Sequence, residues 1–455
     1  MRIPSPVVRL GVIAAAAIAA CQFSHGEAPR DGGTVDVAIP DGGTCTSASA
    51  MCLGDGVTLR TCAAAGAQYA DTTCGWGCIP ENVAHCGQLI PVGSGNMAGS
   101  GVQPGDVADD AALADITLGA NLIVDADTGA IGTSGSAGSL RGAGTGSAKG
   151  IDYELRGQVA MFRFRSLHVS GPIVVSGSAH AVAFVANGTI TLDDQIDARG
   201  FCGSNDPGPG GFPGGLVGSV GGGPGGGSSN GAANLGGGGG GYGGLGGSGA
   251  AGGGGAGQPG GSSYGDAVIT LLVGGAGGGG GGGGAASGIG GGGGGAIQLI
   301  SNTSITVTMP AGAINAGGCA GTSGAGANDG GGGGGAGGTI VLEAPTIEIA
   351  GSLAVNGGGA GAGHSPNTAT SGQLGRTPAA GATSAANGGS GAAGSAANGY
   401  DGASGGGNAG AGGGAIGRMR LETRTGEIQL DATAVLSPSP LDTASTCSVG
   451  SARTQ

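Results

Sequence analysis

Cysteine is the residue with the most chemistry to offer in this sequence. Cys45, Cys52, Cys62, Cys74, Cys78 and Cys86 crowd into one short stretch. An even set at that density pairs off as disulfides if the chain meets an oxidising compartment, and spacing alone does not choose the pairing. Zinc is the competing chemistry, through Cys74-x3-Cys78 and His85-Cys86. The set lacks paired CxxC spacing, and export would expose thiolates to oxidation, so disulfides are expected and no metal. Trp76, the only tryptophan, stands between Cys74 and Cys78. In so small a module it packs on a disulfide or serves as a binding anchor.

Two further cysteines sit far apart in sequence but alike in context. Cys202 ends Ile196-Asp-Ala-Arg-Gly-Phe-Cys, and Cys319 ends Ile314-Asn-Ala-Gly-Gly-Cys. If these stretches lie side by side as neighbouring strands, roughly 4.8 Å apart, the two cysteines are within disulfide reach. Cys447 is then expected to stay unpaired, although a bond from Cys202 or Cys319 to Cys447 is the alternative.

Carboxylates are sparser. Asp193, Asp194 and Asp197 form the densest acidic group in the strand-rich region. Enzymes that cut polysaccharides use paired carboxylates as acid and base, but aspartates also favour turns, and a turn is the expectation here. The histidines are His25, His85, His168, His180 and His364. No Ser-His-Asp or Cys-His arrangement can be assigned from local motifs. The chain therefore reads as a non-enzyme without a cofactor.

What would position these residues is a repeating unit: apolar-x-apolar, a short gap, apolar-x-apolar, a turn, one more apolar residue, then glycine. Its copies are Val182-x-Phe184 with Ile190-x-Leu192 and Ile196; Ile297-x-Leu299 with Ile305-x-Val307 and Ile314; Ile340-x-Leu342 with Ile347-x-Ile349 and Leu353; and Met419-x-Leu421 with Ile428-x-Leu430 and Val435. Period-two alternation over so few residues is a strand signal. The paired unit repeats as a whole, without evenly spaced hairpin turns. That favours an all-β, parallel β-helix-like stack over an antiparallel sandwich. Every large insertion falls after the third apolar position, which would place all insertions at one corner.

The insertions contain tracts of almost pure glycine, with uninterrupted runs at 236–241, 277–284, 290–295 and 330–335, and glycine totals 120 of 455 residues. Collagen needs glycine at every third position with abundant proline, and these runs are not so phased. A calcium-binding nonapeptide repeat needs an aspartate in each copy, yet 203–295 holds only Asp206 and Asp266. Phosphate loops need a following lysine, which these tracts lack. Two readings stay open: disordered loops, or extended polyglycine II helices packed side by side, with N–H and Cα–H both directed at neighbouring carbonyls.

The N-terminus reads as an address. Arg2 and Arg9 precede the apolar run Leu10–Ala20, too short for a mature membrane helix. Ile18-Ala19-Ala20-Cys21 resembles the lipobox of bacterial lipoproteins. The resemblance implies that Cys21 is acylated and anchors the protein to a membrane by three acyl chains, since one alone binds only marginally. The stretch with Gly54-Asp-Gly-Val-Thr-Leu59 and Ala84-His85-Cys86 looks like Cys-rich leaders on glycine-rich lipoproteins of myxobacteria, which implies an outer-membrane or surface location and no known activity. The glycine tracts resemble mycobacterial PE-PGRS proteins in composition only.

The expected organisation is a signal peptide (1–20), a flexible tether (21–44), a disulfide module (45–90), a linker (91–112), the glycine-rich stack (113–440) and a tail (441–455). A net charge of -13 and no basic patch argue against nucleic-acid partners. The expected function is a lipid-anchored structural or adhesive surface protein that meets envelope or extracellular glycan or protein. A carbohydrate-active enzyme or glycan binder is the alternative, and the chain's twelve aromatics (one Trp, five Tyr, six Phe) are few for a sugar-stacking groove.

Overall fold

The structure, a computed structural model, describes residues 44–455 apart from 46–47, 94–100, 109, 134–135 and 255–256. The signal-peptide and tether expectations, with Cys21, lie outside the described residues. Regular structure among the described residues is almost all strand; a single 3₁₀ turn spans Pro104–Val107.

Three large sheets organise the chain. In each repeat one strand joins the first sheet, the next joins the second, and the third joins the third. One repeat contributes Ala181–Ala186, Ile190–Leu192 and Gln195–Asp197. The next contributes Ala296–Ser301, Ser304–Val307 and Ala313–Asn315, and the one after it Thr339–Glu343, Thr346–Ile349 and Ser352–Ala354. Corresponding strands pair in parallel: Val182 opposite Ile297, Ile190 opposite Ile305, and Ile196 opposite Ile314. At the N-terminal end the first and third sheets turn antiparallel, through Gly146–Ala148 with Ile151–Arg156 and through Leu122–Asp125 with Ile131–Thr133.

Apolar ladders hold the sheets together. Phe162, Phe184, Leu299, Leu342 and Leu421 stack in register on the first sheet. Leu167, Ile190, Ile305 and Ile347 do so on the second. All of these side chains are buried in one cluster. Each such side chain stabilises by about 1.5–3 kcal/mol when withdrawn from water. One expected ladder position is off by a residue: Leu436, not Val435, lies opposite Leu353 and is buried. Two apolar residues stand together there, and only the neighbouring strand decides which turns inward.

The first sheet departs from simple alternation, because its outward face is covered too. Met161, Ala183, Val185, Ile300 and Val341 pack there against Trp76, Leu89, Val92, Val102, Val107, Ile269 and Leu272. Residues expected as a linker are thus part of the core. The expected tail is structural as well: Cys447–Ser451 is the last strand of the first sheet. Beyond it, Gln88 and Gln455 exchange backbone hydrogen bonds of 3.0 Å, so the end of the cysteine module pairs with the chain's last residues.

The glycine tracts occupy 198–295, 316–338 and 355–417, each leaving a third-sheet strand and returning to the first sheet. Apart from the short antiparallel pair Ser404–Gly405 with Asn408–Ala409 and isolated bridges, the described residues there form no ladder, yet their N–H groups are consistently bonded. Gly236 and Gly239 donate to Ala250 and Gly247, Gly237 and Gly240 to Gly331 and Gly334, and Gly238 and Gly241 to Ser228 and Gly225. Successive residues therefore address three different neighbours and return to the first after three. The same period governs the next tract: Gly331, Gly334 and Gly337 donate to Ala409, Gly412 and Ala415, while Gly332, Gly335 and Gly338 donate to Thr322, Cys319 and Ala316.

The Cα faces complete the packing. A Cβ on Gly236 or Gly239 would overlap the carbonyl oxygen of Gly410 or Gly413, and one on Gly237 would overlap that of Gly279. One on Gly238 would overlap that of Pro259. The 236–241 run thus has six neighbouring segments, three met by N–H and three by Cα–H. Only glycine allows backbones to approach this closely from every side.

Candidate functional site

The cysteine module is a three-stranded antiparallel sheet, Ser49–Cys52, Thr58–Cys62 and Ala70–Thr73, followed by the short pair Cys78–Ile79 and His85–Cys86. Its bonds are Cys45–Cys62, Cys52–Cys78 and Cys74–Cys86. All six sulfurs are consumed, which leaves none as a thiolate for zinc. His85 places Nδ1 2.9 Å from the Val83 carbonyl. Trp76 is buried in the apolar cluster between the module and the first sheet.

Cys202 and Cys319 are bonded, with Cα atoms 5.1 Å apart. They join the strand exits of two adjacent repeats, where the longest glycine insertion begins. Cys447 is free and buried, and burial, with Asp442 nearby, pushes its thiol up to about 12. At neutral pH it is an inert apolar side chain rather than a nucleophile.

The three aspartates do not converge. Asp193 lies 2.7 Å from His168 Nε2 and accepts from the Thr308 hydroxyl at 2.8 Å, and the His168 contact holds its carboxyl below the usual range. Asp194 accepts from the Gln195 N–H, and Asp197 is paired with Arg199 at 2.7 Å. These are turn and rung contacts, with no acid and base facing a common point. Asp127, Ser178 and His180 come nearest to a triad. There the Ser178 backbone N–H, not its hydroxyl, meets Asp127, while His180 Nδ1 lies 3.0 Å from the same carboxylate. The set closes a turn.

A carboxylate pair that sequence reasoning missed lies on the first sheet. Glu343 and Glu422 stand opposite each other on adjacent strands. Glu343 is fully buried; it accepts from the Val92 N–H at 2.8 Å and the Gln298 amide at 2.6 Å. Burial, then the neighbouring Glu422, pushes it up to about 8, so it is protonated at neutral pH. Arg420 donates to Glu422 at 2.6 Å. The signal was available, since each glutamate follows an aligned leucine, Leu342 or Leu421. An outward position in an alternating strand reads as solvated, however, and only the segment around Val92 seals it. With Glu422 also buried, the pair offers no oxygen to a substrate.

Two concave surfaces carry aromatic side chains. Phe212, Tyr242 and Tyr264 cluster at the base of the glycine layer, with Tyr242 and Tyr264 ring centres 4.6 Å apart and Arg418 5.4 Å from the Tyr242 ring centre. They line a hollow of about 300 Å3. On the third sheet, outward residues Ile123, Val174 and Asp197 form a ladder, and Phe201, more than half exposed, stands beside it. With Asn121, Gln195 and Arg199 they line a groove of about 470 Å3. Among the described residues, no group of His, Cys, Asp and Glu could hold a metal ion, and no helix is long and apolar enough to cross a membrane.

No protein-family model matches this chain, and neither a curated protein nor a solved structure matches it.

Proposed function

We propose that this chain is a non-enzymatic structural or adhesive protein, anchored by lipid on Cys21 at a bacterial outer membrane or cell surface. In this reading the three sheets form a three-sided parallel β-helix, and the insertions form a polyglycine II layer rooted along one of its corners. The observation that carries the reading is the period-three lateral hydrogen bonding of the glycine tracts. It makes a stiff slab from residues with no side chains, and such a slab suits display rather than catalysis. Its outer segments expose Leu216, Val220, Leu245 and Tyr400. In this reading these four side chains are the contact points for an adhesive partner.

The lipid-anchor part is tested by Cys21→Ser, expected to move the protein from the membrane fraction to the soluble one. An intact mass with unmodified Cys21 would exclude the anchor. The adhesive part is tested by attachment of cells displaying the wild type or the quadruple alanine variant of Leu216, Val220, Leu245 and Tyr400. Equal attachment would exclude that surface. Glycan binding is the second reading, supported by the groove beside Phe201, where an aromatic face stands next to amide and charged groups. Phe201→Ala should then abolish retention on immobilised polysaccharide.

A further inference from the structure

Above the buried glutamates lies a hollow of about 240 Å3. Arg420 and Arg453 line it, facing Val92, Val268, Ile269 and Thr270. Four separate parts of the chain meet there: the segment after the cysteine module, the loop at 266–273, a first-sheet strand and the C-terminal residues. We propose that this hollow is a binding site for a small carboxylate anion held between Arg420 and Arg453.

The charge balance supports an anion. Arg453 is exposed and forms no ion pair among the described residues. Arg420 is shared with Glu422. Glu343, beneath them, is neutral at pH 7. Asp266, on the bordering loop, turns its carboxylate to the Thr270 N–H and hydroxyl, and the Arg418 guanidinium offsets its charge. The two arginines and Glu422 leave one positive charge at this point on a chain whose net charge is -13.

The shape selects among anions. One unbalanced positive charge matches a monoanion better than a phosphate dianion. A guanidinium fork fits a carboxylate bidentately. The opposite wall is apolar and suits the carbon body of an organic acid. Ligand pockets usually start near ~300 Å3, so this one takes a single small acid or one terminal residue of a chain. A free acid and an acidic sugar at the end of an envelope polysaccharide present the same carboxylate. This site is independent of the adhesive surface on the glycine layer.

Titration calorimetry of the full-length protein tests it with sodium glucuronate, trigalacturonate and sodium phosphate as probes. Saturable glucuronate binding is expected, with affinity reduced at least about tenfold in Arg453→Gln, a loss of ~1.4 kcal/mol. Arg453 is exposed, so that variant should melt as the wild type does; Arg420→Gln is the second variant, read alongside its melting temperature. Trigalacturonate binding as well as glucuronate would identify a chain end as the ligand, and its exclusion a free acid. The proposal is overturned by no saturable carboxylate binding up to ~10 mM, far weaker than a specific site requires. It is overturned equally by unchanged affinity in Arg453→Gln, or by phosphate binding as tightly as glucuronate.

Discussion

The strand stack and the inner runs of the glycine layer, such as 236–241 and 330–335, are both buried but ordered by different forces. In the stack, Leu299 and Leu342 lie in register because both side chains leave water together. In the layer, Gly333 is placed by its N–H bond to Gly279 and by the backbones pressed against its Cα. A net hydrogen bond contributes only about 0.5–1.5 kcal/mol. Ordering a glycine backbone costs about 1–2 kcal/mol. One bond per residue therefore does not hold a lone segment. A segment with six neighbours adds Cα–H contacts and close packing on every side, so the layer should be stable only as a whole. The stack supplies the nucleus, since it fixes both ends of every insertion.

The sharpest way to break the layer without touching the stack is to add side-chain volume. A Cβ on Gly280 would overlap the Leu216 carbonyl, and one on Gly333 would overlap that of Gly238. Gly280→Val and Gly333→Val should each cost upwards of about 3 kcal/mol, the upper end of overpacking. Hydrogen exchange should accelerate across 236–295 and 330–338 while strand amides stay protected. Gly119→Ala, where a Cβ meets nothing within 4 Å, is the control and should leave exchange unchanged. Uniform random-coil exchange in the wild-type layer would end the comparison.

The disulfide links the two regions. Cys202–Cys319 closes a loop with a sequence separation of 117. The chain-entropy model assigns such a crosslink about 4–5 kcal/mol, an upper figure where the unfolded chain keeps structure. Cys202→Ser with Cys319→Ser should lower the unfolding midpoint by up to that amount and loosen the 203–295 insertion first. Peptide mapping without reductant should recover Cys202 joined to Cys319 and an unmodified Cys447.

The same contrast explains what could be read from sequence. Ladder positions such as Ile297, Ile340 and Met419 declare themselves, because inward-facing neighbours share their chemistry. Cys202 and Cys319 were legible from their offsets behind Ile196 and Ile314. Order in the glycine tracts was only one of two readings, since a backbone hydrogen bond leaves no mark in the residue type. Coverage of the first sheet was hidden for another reason: Val92, Val102 and Val107 come from a stretch with no strand pattern, so nothing local tied them to Val185 or Val341. The sealing of Glu343 was hidden with them.

Within the stack, Leu342→Ala should remove one rung of the ladder and cost about 2–5 kcal/mol, depending on how far the cavity collapses. Chemical denaturation should show the loss as a lower midpoint. Because the layer depends on the stack for its anchoring, its amides should also lose protection in this variant. The reverse is not expected: the glycine-to-valine variants leave the strands folded. Loss of strand protection in the glycine-to-valine variants would mean that the two regions form one cooperative unit.

The smallest effect is the most specific to one group. Glu343 sits at about 8 in the folded protein against 4.5 for the free side chain, because it is buried beside Glu422. An acid whose folded pKa is raised stabilises relative to its ionised form while protonated, and stability falls as pH rises toward the folded value. The fall starts near 4.5 and is complete above about 8. Between pH 7 and 9 it amounts to on the order of 1 kcal/mol, about one pKa unit's worth of linkage. Cys447, whose thiol is also raised by burial, adds a smaller loss at the alkaline end. The difference between wild type and Glu343→Gln isolates the carboxyl, since both keep Cys447. Glutamine retains a carbonyl oxygen for the Val92 N–H but cannot ionise. The variant's stability should therefore change less than the wild type's from pH 7 to 9. Parallel curves would mean that Glu343 is not protonated in the folded chain, and that the segment around Val92 does not seal the first sheet.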